Sequence, residues 1–161
     1  MGTIAQGMGQ NAPLEVLRAH RFTKGLSDSQ LSALLALARP VRFEADEIVL
    51  SDGQRSSDFY LLVSGSVVVE LCAPQFAVCV QSLGPGDVFG WSALLEQHDT
   101  LFQVRSRERT EALRLTGPAL QDLCRRDPVL GTEFLSRTLR VVAGRVKATE
   151  IRFAEMCGFR V

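Results

Sequence analysis

The chain has 161 residues, 46% hydrophobic and 22% charged, and its 18 Lys and Arg balance 18 Asp and Glu to a formal net charge of +0. That length supports one domain with a sizeable core, and the even charge balance excludes a general electrostatic footprint for nucleic acid. No apolar run approaches the roughly 18 residues of a membrane span. Residues 1–12 lack the basic-then-apolar order of a secretory signal and read as a flexible lead-in, so a cytoplasmic protein is expected.

Helical spacing comes first along the chain. Leu14 and Leu17, with Val16 beside them, predict a helix over residues 13–21, and Pro13 takes a first-turn position where its missing N–H costs nothing. A break comes next, over residues 22–26. Ser27, with Gln30 three residues later, forms a capping box for a second helix, whose apolar stripe is Leu31, Leu34, Leu35 and Ala38.

After Pro40 the hydrophobic period changes to two. Val41 and Phe43 alternate with Arg42 and Glu44, Ile48 to Leu50 is a short strand stopped by Asp52-Gly53, and Phe59 to Val63 is another, ended by the turn Ser64-Gly65. Val67 to Leu71 and the alternating Phe76, Val78 and Val80 flank a break at Pro74. Then comes Leu-Gly-Pro-Gly-Asp-Val-Phe-Gly-Trp-Ser-Ala-Leu-Leu over residues 83–95. Gly84, Pro85 and Gly86 make a tight turn. Gly90 leads into a short helical segment, Trp91 to Leu95, whose free backbone N–H groups attract anions when a ligand is present and simply cap a turn when it is not. Leu101 to Val104 and Ala112 to Leu115 are two more strands. Short strands at this spacing predict a β-sandwich or a barrel-like roll.

Thr116-Gly117-Pro118 starts a helix carrying Leu120 and Leu123, which ends near Asp127-Pro128. The last helix is long, over residues 129–155. Leu135, Leu139, Val142, Val146, Thr149, Phe153 and Met156 fall at alternating spacings of four and three, a heptad seam with one polar interruption. Leu130, Phe134 and Val141 form a second apolar face. One face is expected to pack on the roll and the other on a second copy of the chain; packing within one chain is the alternative. Gly144 weakens the helix interior by about 1 kcal/mol relative to Ala.

Catalytic and metal chemistry find no support. Cys72, Cys79, Cys124 and Cys157 include no Cys-x-x-Cys pair and read as buried or free thiols in a reducing compartment. His20 and His98 stand alone, so no metal site of the cupin type is expected and no nucleophile–base pattern stands out. No catalytic residue, metal or enzymatic activity is predicted.

Taken together, the helices, Asp52-Gly53, the run Tyr60-Leu61-Leu62-Val63-Ser64-Gly65-Ser66-Val67, the Leu-Gly-Pro-Gly-Asp-Val-Phe-Gly run and the long last helix resemble the cyclic-nucleotide-binding domain of the catabolite-activator (Crp/Fnr) class of bacterial regulators. The resemblance spans Leu14 to Phe153. It implies a mainly β domain with flanking helices: an eight-stranded β-roll over residues 13–128, a dimerisation helix over 129–157 through Leu135, Leu139, Val142, Val146, Thr149 and Phe153, and a tail over 158–161. Activators of this class carry a helix-turn-helix domain after the dimer helix. Here the sequence stops at Val161, so no DNA-binding domain is expected.

The ligand cassette departs from that pattern. In ligand-binding members a glutamate after the equivalent of Gly90 bonds the ribose, and an Arg-Ser-Ala run meets the cyclic phosphate. Those positions fall on Trp91 and on Thr100, Leu101 and Phe102, while Glu96 and Arg105 are out of register. Losing both polar groups weakens cAMP or cGMP binding by about 3–5 kcal/mol, roughly two to four decades. No cofactor is therefore expected. The backbone of Gly90, Ser92 and Ala93 survives. The resemblance also implies base contacts from Arg145 and Thr149, although by themselves Arg145 reads as a solvated flank, Thr149 as a register-setting polar residue and Trp91 as a core plug. Three functions are compatible with this pattern: a sensor module for another small ligand or a protein partner, a true cyclic-nucleotide receptor using substitute contacts, and a structural dimerisation module whose pocket is filled by Trp91, Leu101 and Phe102.

Overall fold

A computed structural model describes residues 12–95 and 100–159. The lead-in at residues 1–11, Glu96, His98 and the last two residues of the tail lie outside the described residues.

Two helices, α1 (Ala12–Ala19) and α2 (Asp28–Leu37), precede the strands. The capping box of α2 forms as its sequence predicts: Ser27 Oγ accepts from the Gln30 N–H at 3.3 Å and Gln30 Oε1 accepts from the Ser27 N–H at 2.9 Å. Helix α1 ends earlier than its apolar spacing suggests, because His20 leaves the helix to dock on the roll. Its Nε2 lies 2.9 Å from the Leu62 carbonyl oxygen, and its Nδ1 accepts from the Phe22 N–H at 3.2 Å.

Eight strands come next: β1 (Arg39–Phe43), β2 (Ile48–Leu50), β3 (Asp58–Ser64), β4 (Val67–Ala73), β5 (Phe76–Leu83), β6 (Val88–Phe89), β7 (Phe102–Ser106) and β8 (Thr110–Thr116). They form two four-stranded sheets, ordered β1-β8-β3-β6 and β2-β7-β4-β5, with every pairing antiparallel. The period of two sorts β3 cleanly. Phe59 and Leu61 face the helices, whereas Tyr60 and Leu62 face the interior of the roll. Both faces of this sheet are covered, which is why residues 59–62 read as an unbroken apolar run.

Two cores result. Phe22, Phe59 and Phe134 meet at ring-centroid distances of 5.0 to 5.6 Å and knit the helices onto the first sheet. Tyr60 stacks on Phe89 at 4.7 Å inside the roll, beside Leu62, Val69 and Val104.

Helix α3 (Gly117–Arg126) leads into the long helix α4 (Pro128–Met156). Asp127 Oδ1 caps α4 by accepting from the Leu130 N–H at 3.0 Å. Leu130, Phe134 and Thr138 of α4 are buried. The heptad seam points away from the roll: Leu139 is 68% and Phe153 70% exposed, Leu135 and Val146 are also exposed, and Val142 and Thr149 are half-buried. No helix among the described residues is long and apolar enough to cross a membrane. Cys72, Cys79, Cys124 and Cys157 are free thiols.

Candidate functional site

A cavity of about 370 Å³ opens inside the roll, between the inner face of the second sheet, the segment after β6 and helix α4. Gly90 shapes its floor. Its φ of +79° is left-handed, and a Cβ placed there would stand 2.2 Å from the Asp58 carbonyl oxygen of β3, so only glycine permits this approach. The chain then makes a single 3₁₀ turn, Trp91–Leu94, closed by the Ala93 N–H donating to the Gly90 carbonyl at 3.0 Å. The turn is clamped from behind. Gly117 brings the start of α3 against the Ala93 carbonyl, and Gln121 Nε2 donates to the Leu94 carbonyl at 3.0 Å.

Trp91 is only half-buried. It packs against the helix-side core and also lines the cavity, so it is not the plug that its side chain suggests. Ser92 is buried and lines the cavity as well; Ala93 is buried behind the turn and does not. On the opposite wall Thr100 Oγ1 accepts from the Phe102 N–H at 3.1 Å, while the Thr100 carbonyl accepts from the Gly53 N–H at 2.7 Å. The Thr100 hydroxyl is thus engaged by backbone. Leu101 is 74% exposed at the rim, and Phe102 is half-buried inside. Trp91, Leu101 and Phe102 therefore line an open cavity rather than filling it.

Arg105 turns to the outer face of β7. It forms an ion pair with the buried Glu70, and its Nη1 donates to Asp46 Oδ1 at 2.9 Å. The Arg105 guanidinium holds the Glu70 carboxyl below the usual carboxylate range, and Gln103 Nε2 adds a bond at 3.1 Å. This arginine braces the sheet and has no access to the cavity lining.

Arg145 corrects the sequence reading. It is not a solvated flank; it is 7% exposed. The stripe Phe134, Thr138, Val141, Arg145 continues at spacings of four, three and four, and α4 lays it over β5. Extending the apolar face Leu130, Phe134 and Val141 by one turn would have found it. Arg145 Nε donates to Gln81 Oε1 at 2.7 Å. Burial pushes its pKa down to about 10, opposed by the charge of Asp87. Asp87 itself is ion-paired to Arg21 and accepts from the Gly84 N–H at 2.9 Å. Arg145 lines the roll cavity and also a groove of about 570 Å³ under α4, bordered by Arg21, Lys24, Arg137 and Arg140. Thr149 Oγ1 donates to the Arg145 carbonyl at 2.9 Å and lines neither space.

A roll of eight antiparallel strands with a glycine-led turn facing a long helix is the architecture of a cyclic-nucleotide-binding-like domain. Residues 40–127, more than half of the chain, match the model of the cyclic nucleotide-binding domain family, and the chain belongs to that family. Residues here are 29% identical over 142 positions to potassium channel AKT1 of Oryza sativa subsp. indica, an alignment covering 81% of this chain. It spans 15% of the length of that channel. A putative cyclic nucleotide-binding protein from Geobacter metallireducens superposes with a TM-score of 0.71 at 23% identity, covering 84% of this chain and 98% of the other. The catabolite activator protein of Thermus thermophilus superposes at 0.68 with 20% identity, covering 85% and 63%. These likenesses establish the Crp-like fold.

Proposed function

We propose that this domain is a non-enzymatic regulatory module whose roll cavity senses a small ligand other than cAMP or cGMP, and that it works as a cytoplasmic homodimer joined through α4. One observation carries the reading: the cavity is open, its described lining holds no carboxylate and no cation but Arg145, and the hydroxyl of Thr100, which with Trp91 takes the family's arginine and glutamate positions by sequence resemblance, is committed to backbone. The cavity's volume of about 370 Å³ suits a compact ligand, since small-molecule sites run from about 300 to 1,000 Å³. An open cavity argues against the purely structural module. A protein partner engaging the exposed faces is compatible with this reading, because a regulatory domain passes its signal on.

The second reading, a cyclic-nucleotide receptor with substitute contacts, is favoured by one feature, the buried guanidinium of Arg145 on the cavity wall. Thermal unfolding of the full chain against a metabolite panel that includes cAMP and cGMP separates the two. Stabilisation by some non-cyclic metabolite, with neither cyclic nucleotide active in the micromolar range, is expected. The reverse pattern overturns the sensor reading in favour of the receptor.

A further inference from the structure

Arg145 is the one charged side chain on the wall of the roll cavity among the described residues. Around it stand Leu50, Val69, Phe89, Trp91 and Phe102. Its side chain is more than nine-tenths buried, and among the described residues its only side-chain hydrogen bond is the one from Nε to Gln81. No described carboxylate forms an ion pair with it; Asp87, the acidic group nearest in influence, is already engaged by Arg21 and the Gly84 N–H. The Nη1 and Nη2 groups are therefore a planar fork of donors without an acceptor among the described residues, at the boundary of an apolar chamber. The fork is not sealed from solvent, so water completes it when the cavity holds no ligand, and an anion entering there would displace that water.

We propose that the roll cavity binds an aromatic monocarboxylate, with its ring against Trp91, Phe89 and Phe102 and its carboxylate on the Nη fork of Arg145. This deepens the reading of the cavity as a ligand site and rests on it. Arg145 is the one cation on the described lining of this cavity, which matches one negative charge, while Arg21, Lys24, Arg137 and Arg140 border the adjoining groove instead; the guanidinium fork fits a carboxylate two oxygens to two nitrogens. The lining, apolar with few polar groups, suits a flat hydrophobic body. Position 145 supplies its charge from α4, so binding would act directly on the helix that carries the exposed seam.

Trp91 is the only tryptophan in the chain and lines this cavity, so its fluorescence reports occupancy. The test titrates the full chain with matched pairs, benzoate against benzamide and 1-naphthoate against 1-naphthamide, following Trp91 emission and thermal unfolding. The acids are expected to bind roughly 10- to 100-fold more tightly than their amides. Arg145→Met is expected to erase that preference while amide binding persists, which also shows that the cavity remains folded; Arg145→Lys is expected to keep part of it. Acids and amides binding equally, or Arg145→Met retaining the preference, overturns the carboxylate assignment and leaves the cavity reading intact. Failure of all four compounds to bind at millimolar concentration overturns the aromatic monocarboxylate proposal, while the cavity reading itself falls only if the metabolite panel also gives no stabilisation.

Discussion

The Arg145 guanidinium reaches from α4 to Gln81 on β5, its Nε 2.7 Å from Gln81 Oε1, at the place where the roll cavity meets the groove under α4. This contact joins the two elements that a ligand would have to couple: the wall of the chamber and the helix bearing the apolar seam. It also buries a charge without a carboxylate partner among the described residues. Replacing it with Met fills the same space without the desolvation cost, and Gln81, which is half-buried, can still find water. Arg145→Met is expected to raise the stability of the ligand-free protein by about 1–2 kcal/mol, roughly 3–6 °C in melting temperature. Calorimetric melting checks this. A lower melting temperature would mean that Arg145 is there to hold the fold rather than to wait for an anion.

The seam on α4 makes a second prediction. Leu139 and Phe153 are 68% and 70% exposed, on one apolar strip that the described residues of the single chain leave uncovered. Leu139→Glu with Phe153→Glu is expected to convert a dimer into a folded monomer, since the strip faces away from both cores. Light scattering on wild type and variant decides it. A wild-type chain that is monomeric at high micromolar concentration would contradict the dimer.

Acid stability should depend on His20. The ring is buried, Nδ1 accepts from the Phe22 N–H, and Nε2 therefore carries the proton that goes to the Leu62 carbonyl. Burial holds its pKa below the ordinary 6.5; the Leu62 carbonyl and Asp87 push the other way, and Arg21 adds to the lowering. A depressed histidine means that the unfolded chain takes up the proton first, so stability rises with pH across this window. Its contribution is complete above the unfolded value near 6.5 and is lost as pH falls toward the depressed folded value. His20→Gln is expected to flatten the pH dependence of urea unfolding between neutral and mildly acidic solution. An unchanged slope would assign the dependence elsewhere.

Two glycines behave in opposite ways. Gly90→Ala places a Cβ 2.2 Å from the Asp58 carbonyl oxygen at a φ of +79°. It is expected to cost at least ~2 kcal/mol and to disturb Trp91 emission. Gly144 has open space around it in the interior of α4, so Gly144→Ala is expected to gain up to about 1 kcal/mol. Urea titrations of the two variants should move in opposite directions.

Much of the fold is legible in the sequence because its signals are local. The Ser27–Gln30 box, the Gly84-Pro85-Gly86 turn and the period-two runs each depend on residues within a few positions of one another, and the elements appear where they point. Strand β6 is not legible, since Val88 and Phe89 are too few to show a period and pair only because β3 lies beside them. Register alone is enough for the family resemblance to imply departures from the cassette at Trp91, Thr100, Leu101 and Phe102. Whether those bulky side chains close the chamber cannot. That outcome depends on the Thr100 turn, which sends Leu101 to the rim, and on the Gly117 contact that seats the Trp91 turn. Arg145 escapes the sequence for a similar reason. An arginine on a helix is usually solvated, and only the packing of α4 over β5 buries this one.

The chamber keeps the cyclic-nucleotide-binding fold, and we propose that it lacks the groups that grip a cyclic nucleotide. Isothermal titration of the full chain with cAMP and with cGMP tests it most directly. If Trp91 and Thr100 replace the family's carboxylate and arginine as proposed, binding is expected to be weaker by about two to four decades than a complete cassette gives, with no low-micromolar heat from either ligand. Saturable low-micromolar binding of either nucleotide, abolished in Arg145→Met, would contradict the claim and make Arg145 the substitute phosphate contact.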